Sequence, residues 1–121
     1  LDIDEFRDAS KNDYVRDRSF RRNLERWVEN LVNATIDIAK TILAAEHGRM
    51  PRTYREAVEA LHSVRGFDAA VCSDLAEFTR LRNMLAHEYL DLRYTRIAEF
   101  IDKAPALYTS FVNAVRAFLE R

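Results

Sequence analysis

Cysteine occurs once in these 121 residues, at Cys72, glycine and proline twice each, and lysine only at positions 11, 40 and 103. A single thiol excludes an internal disulfide framework and makes a reducing compartment the default. With so little glycine and proline, and no alternation of β-branched with polar residues, a strand-and-turn architecture is excluded. The abundant Ala, Leu, Arg and Glu are helical composition instead. No apolar run reaches the ~18 residues of a membrane span, and no charged-then-apolar leader opens the chain. The expectation is therefore a soluble cytoplasmic protein with no membrane partner. Leu1 is not an initiator methionine, so the numbering is expected to start inside a longer chain.

Excess charge of one sign is also missing. A net charge of −1 argues against gripping nucleic acid by bulk electrostatics. The cations are mostly arginine, sixteen in all, and the planar guanidinium pairs bidentately with phosphate where lysine offers only a point charge. Arg16, Arg18, Arg21, Arg22 and Arg26 cluster, as do Arg49, Arg52 and Arg55. Each cluster reads either as a solvated helix face paired with nearby acids or as the border of a phosphate-binding cleft. A hydrophobic content of 48% suits one domain over residues 1–121 with its own core.

In chain order, Asn12 or Asp13 can cap a helix expected from about Tyr14 to Ala45. Its apolar seam runs Leu24, Val28, Leu31, Thr35, Ile38, Ile42 and Ala45 at alternating spacings of four and three, widened by Trp27, Val32, Ile36, Ala39 and Leu43. A helix apolar over that much of its circumference must be covered from two sides, as a central rod or a dimer contact. Gly48 and Pro51 end it. Thr53 and Glu56 form a capping box for a short helix to about Ser63. Gly66 breaks the chain, and Asp68 caps a helix expected to end near Leu90. Asp91 can cap the last element, where Ile97, Ile101, Ala104, Tyr108, Phe111, Val115 and Phe118 hold one rhythm straight through Pro105. One long kinked helix is predicted there rather than two. The expected fold class is all-α, an up-and-down bundle of four to five helices ending in that long kinked C-terminal helix.

Familiar chemistries are mostly excluded. Glu59-Ala60-Leu61-His62 is the one Glu-x-x-His segment, where a di-iron bundle site requires two such motifs and two further glutamates. His62 is read as a partly buried, hydrogen-bonded residue, His47 as a solvent-facing cation in a last turn, and Cys72 as a small core residue. There is no Cys/His zinc spacing, Gly-rich phosphate loop or nucleophile elbow, and no acidic set for two-metal phosphoryl chemistry. No metal and no cofactor are expected.

One stretch does combine reactive side chains: Leu81-Arg82-Asn83-Met84-Leu85-Ala86-His87-Glu88-Tyr89. At about 100° per residue, with Arg82 at zero, Tyr89 falls near −20°, Ala86 near 40°, Asn83 near 100° and His87 near 140°. Phe78, Leu81, Met84 and Leu85 take the opposite, core-facing arc, where only Glu88 intrudes. Ala86, with almost no side chain, allows another backbone or a ligand to approach between Arg82 and His87. Spacing alone leaves two readings open, a phosphodiester site or an ordinary amphipathic helix end.

Arg82 through Tyr89 resembles the signature of the HEPN superfamily, an arginine followed after four to six residues by a histidine. More narrowly it resembles the Arg-x4-His-x-Tyr form of HepT-type ribonuclease toxins, with Asn83 as the polar residue that commonly follows the arginine. Arg22-Asn23-Leu24-Glu25-Arg26, Ile36-Asp37-Ile38-Ala39, Tyr54-Arg55-Glu56-Ala57 and the amphipathic C-terminal helix are similar in placement. The likeness thus covers nearly the whole chain. It implies a homodimeric all-helical endoribonuclease toxin of a type VII toxin–antitoxin system, with the motif at the dimer interface. It also implies an MntA-type nucleotidyltransferase antitoxin that silences the toxin by transferring AMP to Tyr89.

In the chemistry so implied, RNA supplies its own nucleophile, the 2′-hydroxyl. His87 is the residue suited to proton transfer near neutral pH, and Arg82 to stabilising charge on phosphorus. Asn83 can orient the imidazole or bind the strand, and Tyr89 can donate to phosphate or stack on a base. The alternatives are a non-catalytic HEPN bundle that binds a nucleotide or a nucleotidyltransferase, and a purely structural helical protein.

Overall fold

Helix-favouring composition resolves into helices throughout the residues that the computed structural model describes, 11–47, 51–87 and 89–120, with the side chains of His47, Ala86, His87 and Asp91 outside that description. In chain order these are α1 (Lys11–Arg16), α2 (Arg18–His47), α3 (Tyr54–Ala60) followed by a 3-10 turn (Leu61–Ser63), α4 (Ala69–Phe78), α5 (Leu81–His87) and α6 (Leu90–Leu119). They form an all-α bundle whose two longest members, α2 and α6, have 30 residues each. No described helix is long and apolar enough to cross a membrane.

The first long helix starts later than its pattern suggests. Asp17 separates α1 from α2, and its carboxylate accepts from the Phe20 amide at 3.0 Å while its carbonyl accepts from Arg21 N–H at 2.9 Å. Asn12 and Asp13 lie inside α1 and do not cap the long helix. Asp17 takes that role because its short side chain satisfies a free amide at the helix start. The Arg21 guanidinium in turn donates to the Tyr14 and Val15 carbonyls at the end of α1, at 3.3 and 3.1 Å. One member of the first arginine cluster is thereby a helix-end clamp.

Along α2 the buried stripe is Leu24, Val28, Val32, Thr35, Ile36, Ala39, Ile42 and Leu43. Ile38 is exposed, as is Ala45, although both lie on the four-three seam. A straight helix has 3.6 residues per turn, so a seven-residue repeat drifts ~20° per heptad away from a fixed neighbour. Ile38 and Ala45 thereby rotate into solvent while Ile42 stays buried, and Ile36, Ala39 and Leu43 complete the stripe. In α6, Ile97, Ile101, Ala104, Tyr108 and Phe111 are buried, and Val115 and Phe118 pack partly against the core, so the rhythm there holds. The helix is continuous through Pro105. Each fully buried Leu, Ile or Phe in this core contributes ~1.5–3 kcal/mol of hydrophobic free energy.

Aromatic rings connect the layers. Phe100 of α6 meets Trp27 of α2 edge-on at 6.1 Å, Phe78 of α4 at 4.9 Å and Tyr108 at 6.3 Å. Tyr108 and Phe67 each pack on Phe111 at 6.1 Å. Within this hydrocarbon Thr35 is the buried polar residue among those described, and its hydroxyl meets the Tyr108 hydroxyl at 2.6 Å. Cys72 is buried in the same core, as expected.

At one end, α1, α2 and α6 are joined by charge. Glu25 accepts hydrogen bonds from both the Tyr14 hydroxyl and the Arg93 guanidinium. Tyr14 is fully buried, and the Arg93–Glu25 pair is largely so. Burial first, then the Glu25 contact, pushes the Tyr14 phenol above its ordinary titration range.

Of the expected Thr53–Glu56 capping box the Thr53 half forms, and Asp68 caps its helix as expected. The Thr53 hydroxyl accepts from Glu56 N–H at 3.1 Å, and the Asp68 carboxylate accepts from Ala70 and Val71 N–H at 2.8 and 3.0 Å. Gly66 turns the chain between them at φ 99°, a left-handed conformation that costs glycine little. His62 is exposed rather than partly buried, because the 3-10 turn buries Leu61 and rotates its neighbour outward. Gly48, Arg49 and the His47 side chain, with the expectations attached to them, lie outside the described residues.

Candidate functional site

The helix that carries the reactive stretch is two helices. After Phe78 the backbone tightens into bonds of the three-residue type, from Thr79 N–H to Ala76 at 3.1 Å and from Arg80 N–H to Glu77 at 3.2 Å. The Thr79 hydroxyl adds a third bond, to the Ala76 carbonyl at 2.7 Å. A hydroxyl that bonds back to the preceding turn competes with regular helix and bends it. Helix α5 then restarts, with the Arg80 carbonyl accepting from Asn83 and Met84 N–H at 3.1 and 3.2 Å.

Within α5, Leu81 is buried and Met84 and Leu85 pack partly against the core, which is the apolar arc expected of them. Arg82 and Asn83 face outward into a recess of about 280 Å³, lined also by Glu29 of α2, Tyr54 at the start of α3, and Thr79. The Arg82 guanidinium lies over the Tyr54 ring, 5.0 Å from its centroid. The Lys40 ammonium of α2 lies 5.7 Å from the same centroid. Arg82 forms no ion pair among the described residues, while Arg55, Arg80, Arg93 and Arg96 all do. A cation held against an aromatic face keeps its charge and its outward N–H groups, so it can still take an anion.

His87 is the last residue of α5, five positions and about 7.5 Å of axial rise beyond Arg82. Its side chain, like that of Ala86, lies outside the described residues, and so does Glu88. Tyr89 does not continue the helix. It is the N-cap residue of α6, in extended backbone at φ −65° and ψ 154°, makes no side-chain cap bond, and is 88% exposed. The wheel position near −20° therefore does not apply, and Asp91 lies inside α6 rather than capping it. Extended backbone at an N-cap is what lets one helix end and another begin in a new direction.

Sequence reasoning thus found Arg82 and Asn83 together but missed Glu29, Lys40 and Tyr54 as their surroundings. Tyr54 follows the Thr53 cap, a local signal for where a helix starts, but nothing local connects it to an arginine two helices later. In the second arginine cluster, Arg55 pairs with Glu77 of α4, an exposed contact next to Tyr54 in the chain. Among the described residues no group of three or more His, Cys, Asp or Glu is placed to hold a metal ion. Compared with known proteins, residues 1–115 match the family model described as HepT-like, Ribonuclease HepT-like. No curated protein and no solved structure matches the chain.

Proposed function

This chain belongs to the HepT-like ribonuclease family, and from that premise we propose that it is a metal-independent endoribonuclease toxin whose cleaving groups are Arg82 and His87. The observation that carries the reading is the Arg82 guanidinium, held over the Tyr54 ring and paired with no acid among the described residues, beside Asn83 in an open recess. An arginine kept charged and unneutralised is what a phosphodiester needs as its electrostatic partner.

In this reading the 2′-oxygen of the substrate attacks the adjacent phosphorus as His87 takes the hydroxyl proton. The bond from phosphorus to the 5′-oxygen breaks, and the products are a 2′,3′-cyclic phosphate and a 5′-hydroxyl. Arg82 stabilises the extra negative charge on the phosphoryl oxygens, and Asn83 and Tyr89 hold the strand. The departing 5′-oxygen needs a proton that a single imidazole cannot supply while it acts as base. A homodimer that brings two copies of the motif into one cleft provides a second His87 as the acid.

Tyr89 is the residue on which regulation is proposed. An MntA-type nucleotidyltransferase antitoxin would transfer AMP to its phenol, as in a type VII system, and place bulk and negative charge where RNA phosphate must bind. The near-complete exposure of Tyr89 supports this, since a modifying enzyme can reach the hydroxyl without opening the bundle.

The test uses the whole chain and cellular RNA in EDTA. Wild type should cut and His87→Ala should not, and equal cleavage by both would remove His87 from the mechanism. Expression without a nucleotidyltransferase should arrest growth; harmless expression would favour a binding bundle over a nuclease. Incubation with the cognate nucleotidyltransferase and ATP should label wild type but not Tyr89→Phe, and label on Tyr94 instead would show the modified residue misassigned.

A further inference from the structure

Arg82 shares its recess with a carboxylate it does not use. Glu29 lines the same space, yet the guanidinium lies on the Tyr54 ring rather than in an ion pair with Glu29. An arginine side chain carries roughly 2 kcal/mol of rotamer entropy, and a nearby carboxylate is its natural partner. The geometry therefore needs a reason why the ring wins.

That reason lies in how firmly the ring is mounted. Tyr54 is the first residue of α3, directly after the Thr53 cap, and the next residue, Arg55, is tied to Glu77 of α4. Ala57 and Val58, one turn on, are buried against the core. The ring itself stays 50% exposed, and it also faces Lys40, a cation from a different helix. An aromatic face fixed at its backbone and open to solvent offers a flat seat for a guanidinium without neutralising it.

We propose that Tyr54 is a positioning residue for Arg82: its ring holds the guanidinium flat and away from Glu29, so that the fork faces an incoming RNA phosphate. This rests on the nuclease reading for its substrate, though not for the contact itself. Lys40, 5.7 Å from the same ring, is not among the residues that line the recess, so the effect of the ring on binding runs through Arg82. Without the ring, Arg82 swings towards Glu29 and the recess loses its unneutralised cation. The role belongs to the ring face, so the phenolic hydroxyl is dispensable to it.

A mutant cycle on the full chain tests this. The probe is a single-stranded oligonucleotide of mixed sequence with every ribose 2′-O-methylated, which lacks the nucleophile and so reports binding alone. Fluorescence anisotropy should show Tyr54→Leu weakening binding about three- to tenfold, the range a cation–aromatic contact supports. Tyr54→Phe should restore most of that loss, and so should Glu29→Gln added to Tyr54→Leu. In the Arg82→Ala background Tyr54→Leu should cost nothing further.

An equal loss from Tyr54→Leu with and without Arg82, or a loss in Tyr54→Phe as large as in Tyr54→Leu, would overturn the proposal. Thermal melts run alongside, and if Tyr54→Leu melts early, Tyr54→Gln at this half-exposed position carries the same cycle. Cleavage of unmodified RNA is measured separately. Normal cutting with no coupling sinks the positioning role and leaves the nuclease reading standing. Persistent coupling in a chain that cuts nothing does the reverse.

Discussion

Arg82 and Arg93 carry the same guanidinium on adjacent helices, α5 and α6, and the fold gives them opposite partners. Arg93 is largely buried and donates to Glu25, which also holds the buried Tyr14 hydroxyl, so its charge is closed inside a three-helix junction. Arg82 faces a recess and lies on the ring of Tyr54, whose own surface is half open to solvent. Each arginine has an aromatic neighbour and a carboxylate within its surroundings; what differs is which of the two it takes. A guanidinium paired with a carboxylate fastens helices together, and one resting on a ring keeps its charge unneutralised.

The sharpest way to break this contrast is to remove each guanidinium in turn. Arg82→Ala should lower the cleavage rate about 100- to 1000-fold, the usual effect of deleting a group that stabilises developing charge, and leave the melting temperature nearly unchanged. A large fall in stability with little change in rate would reverse the assignment. Arg93→Ala should do the opposite, costing about 3 kcal/mol of unfolding free energy in urea because Glu25 keeps a partly buried charge with no counter-ion. Normal stability in that variant would show the junction to be dispensable.

A smaller effect comes from pH. Burial pushes the Tyr108 phenol up to about 12, with the Thr35 hydrogen bond acting the other way. Burial, and then the nearby Asp68 charge, pushes the Cys72 thiol up to about 11 from its usual 9.0. Tyr14, in the closed junction, is raised as well. In each case the folded chain keeps a proton that the unfolded chain releases, so stability is intact below these groups' ordinary ranges and falls as pH rises through them. Urea unfolding should show a loss of at least about 2 kcal/mol between pH 9 and pH 11, and a flat profile over that window would mean these groups are not closed off. Smallest of all, Glu77→Gln removes the exposed pairs to Arg55 and Arg80 and should change stability by no more than about 0.5 kcal/mol. A larger loss would place solvent-facing pairs on a par with the Arg93 junction.

The same contrast explains what was legible in the sequence. Periodicity reported the cores of α2 and α6, including the continuity of α6 through Pro105, because burial acts on every turn of a long helix. It mistook the heptad seam of α2 for the buried stripe at Ile38 and Ala45, where the difference between 3.5 and 3.6 residues per turn had accumulated. It also carried one helix through Thr79 and Arg80, where no glycine or proline marks the break, and on past His87, which gave Tyr89 a helical angle it does not have. Arg82 and Asn83 were visible because they are neighbours in the chain. The ring that seats Arg82 comes from a distant segment, and no local pattern connects the two.

Finally, the hydroxyl contact between Thr35 and Tyr108 fixes more than two side chains. It joins the two longest helices across an otherwise apolar interior. Sliding α6 along α2 by one turn, about 5.4 Å, would strand the Tyr108 hydroxyl in hydrocarbon, while Thr35 would keep its bond to the Leu31 carbonyl at 2.8 Å. That lost hydrogen bond adds to the packing that the slip would break, including the edge-on contact of Phe100 with Trp27. One pair of oxygens thus helps to fix the axial register of α6 against α2, and with it the height at which the start of α6, and Tyr89 before it, emerges beside α5.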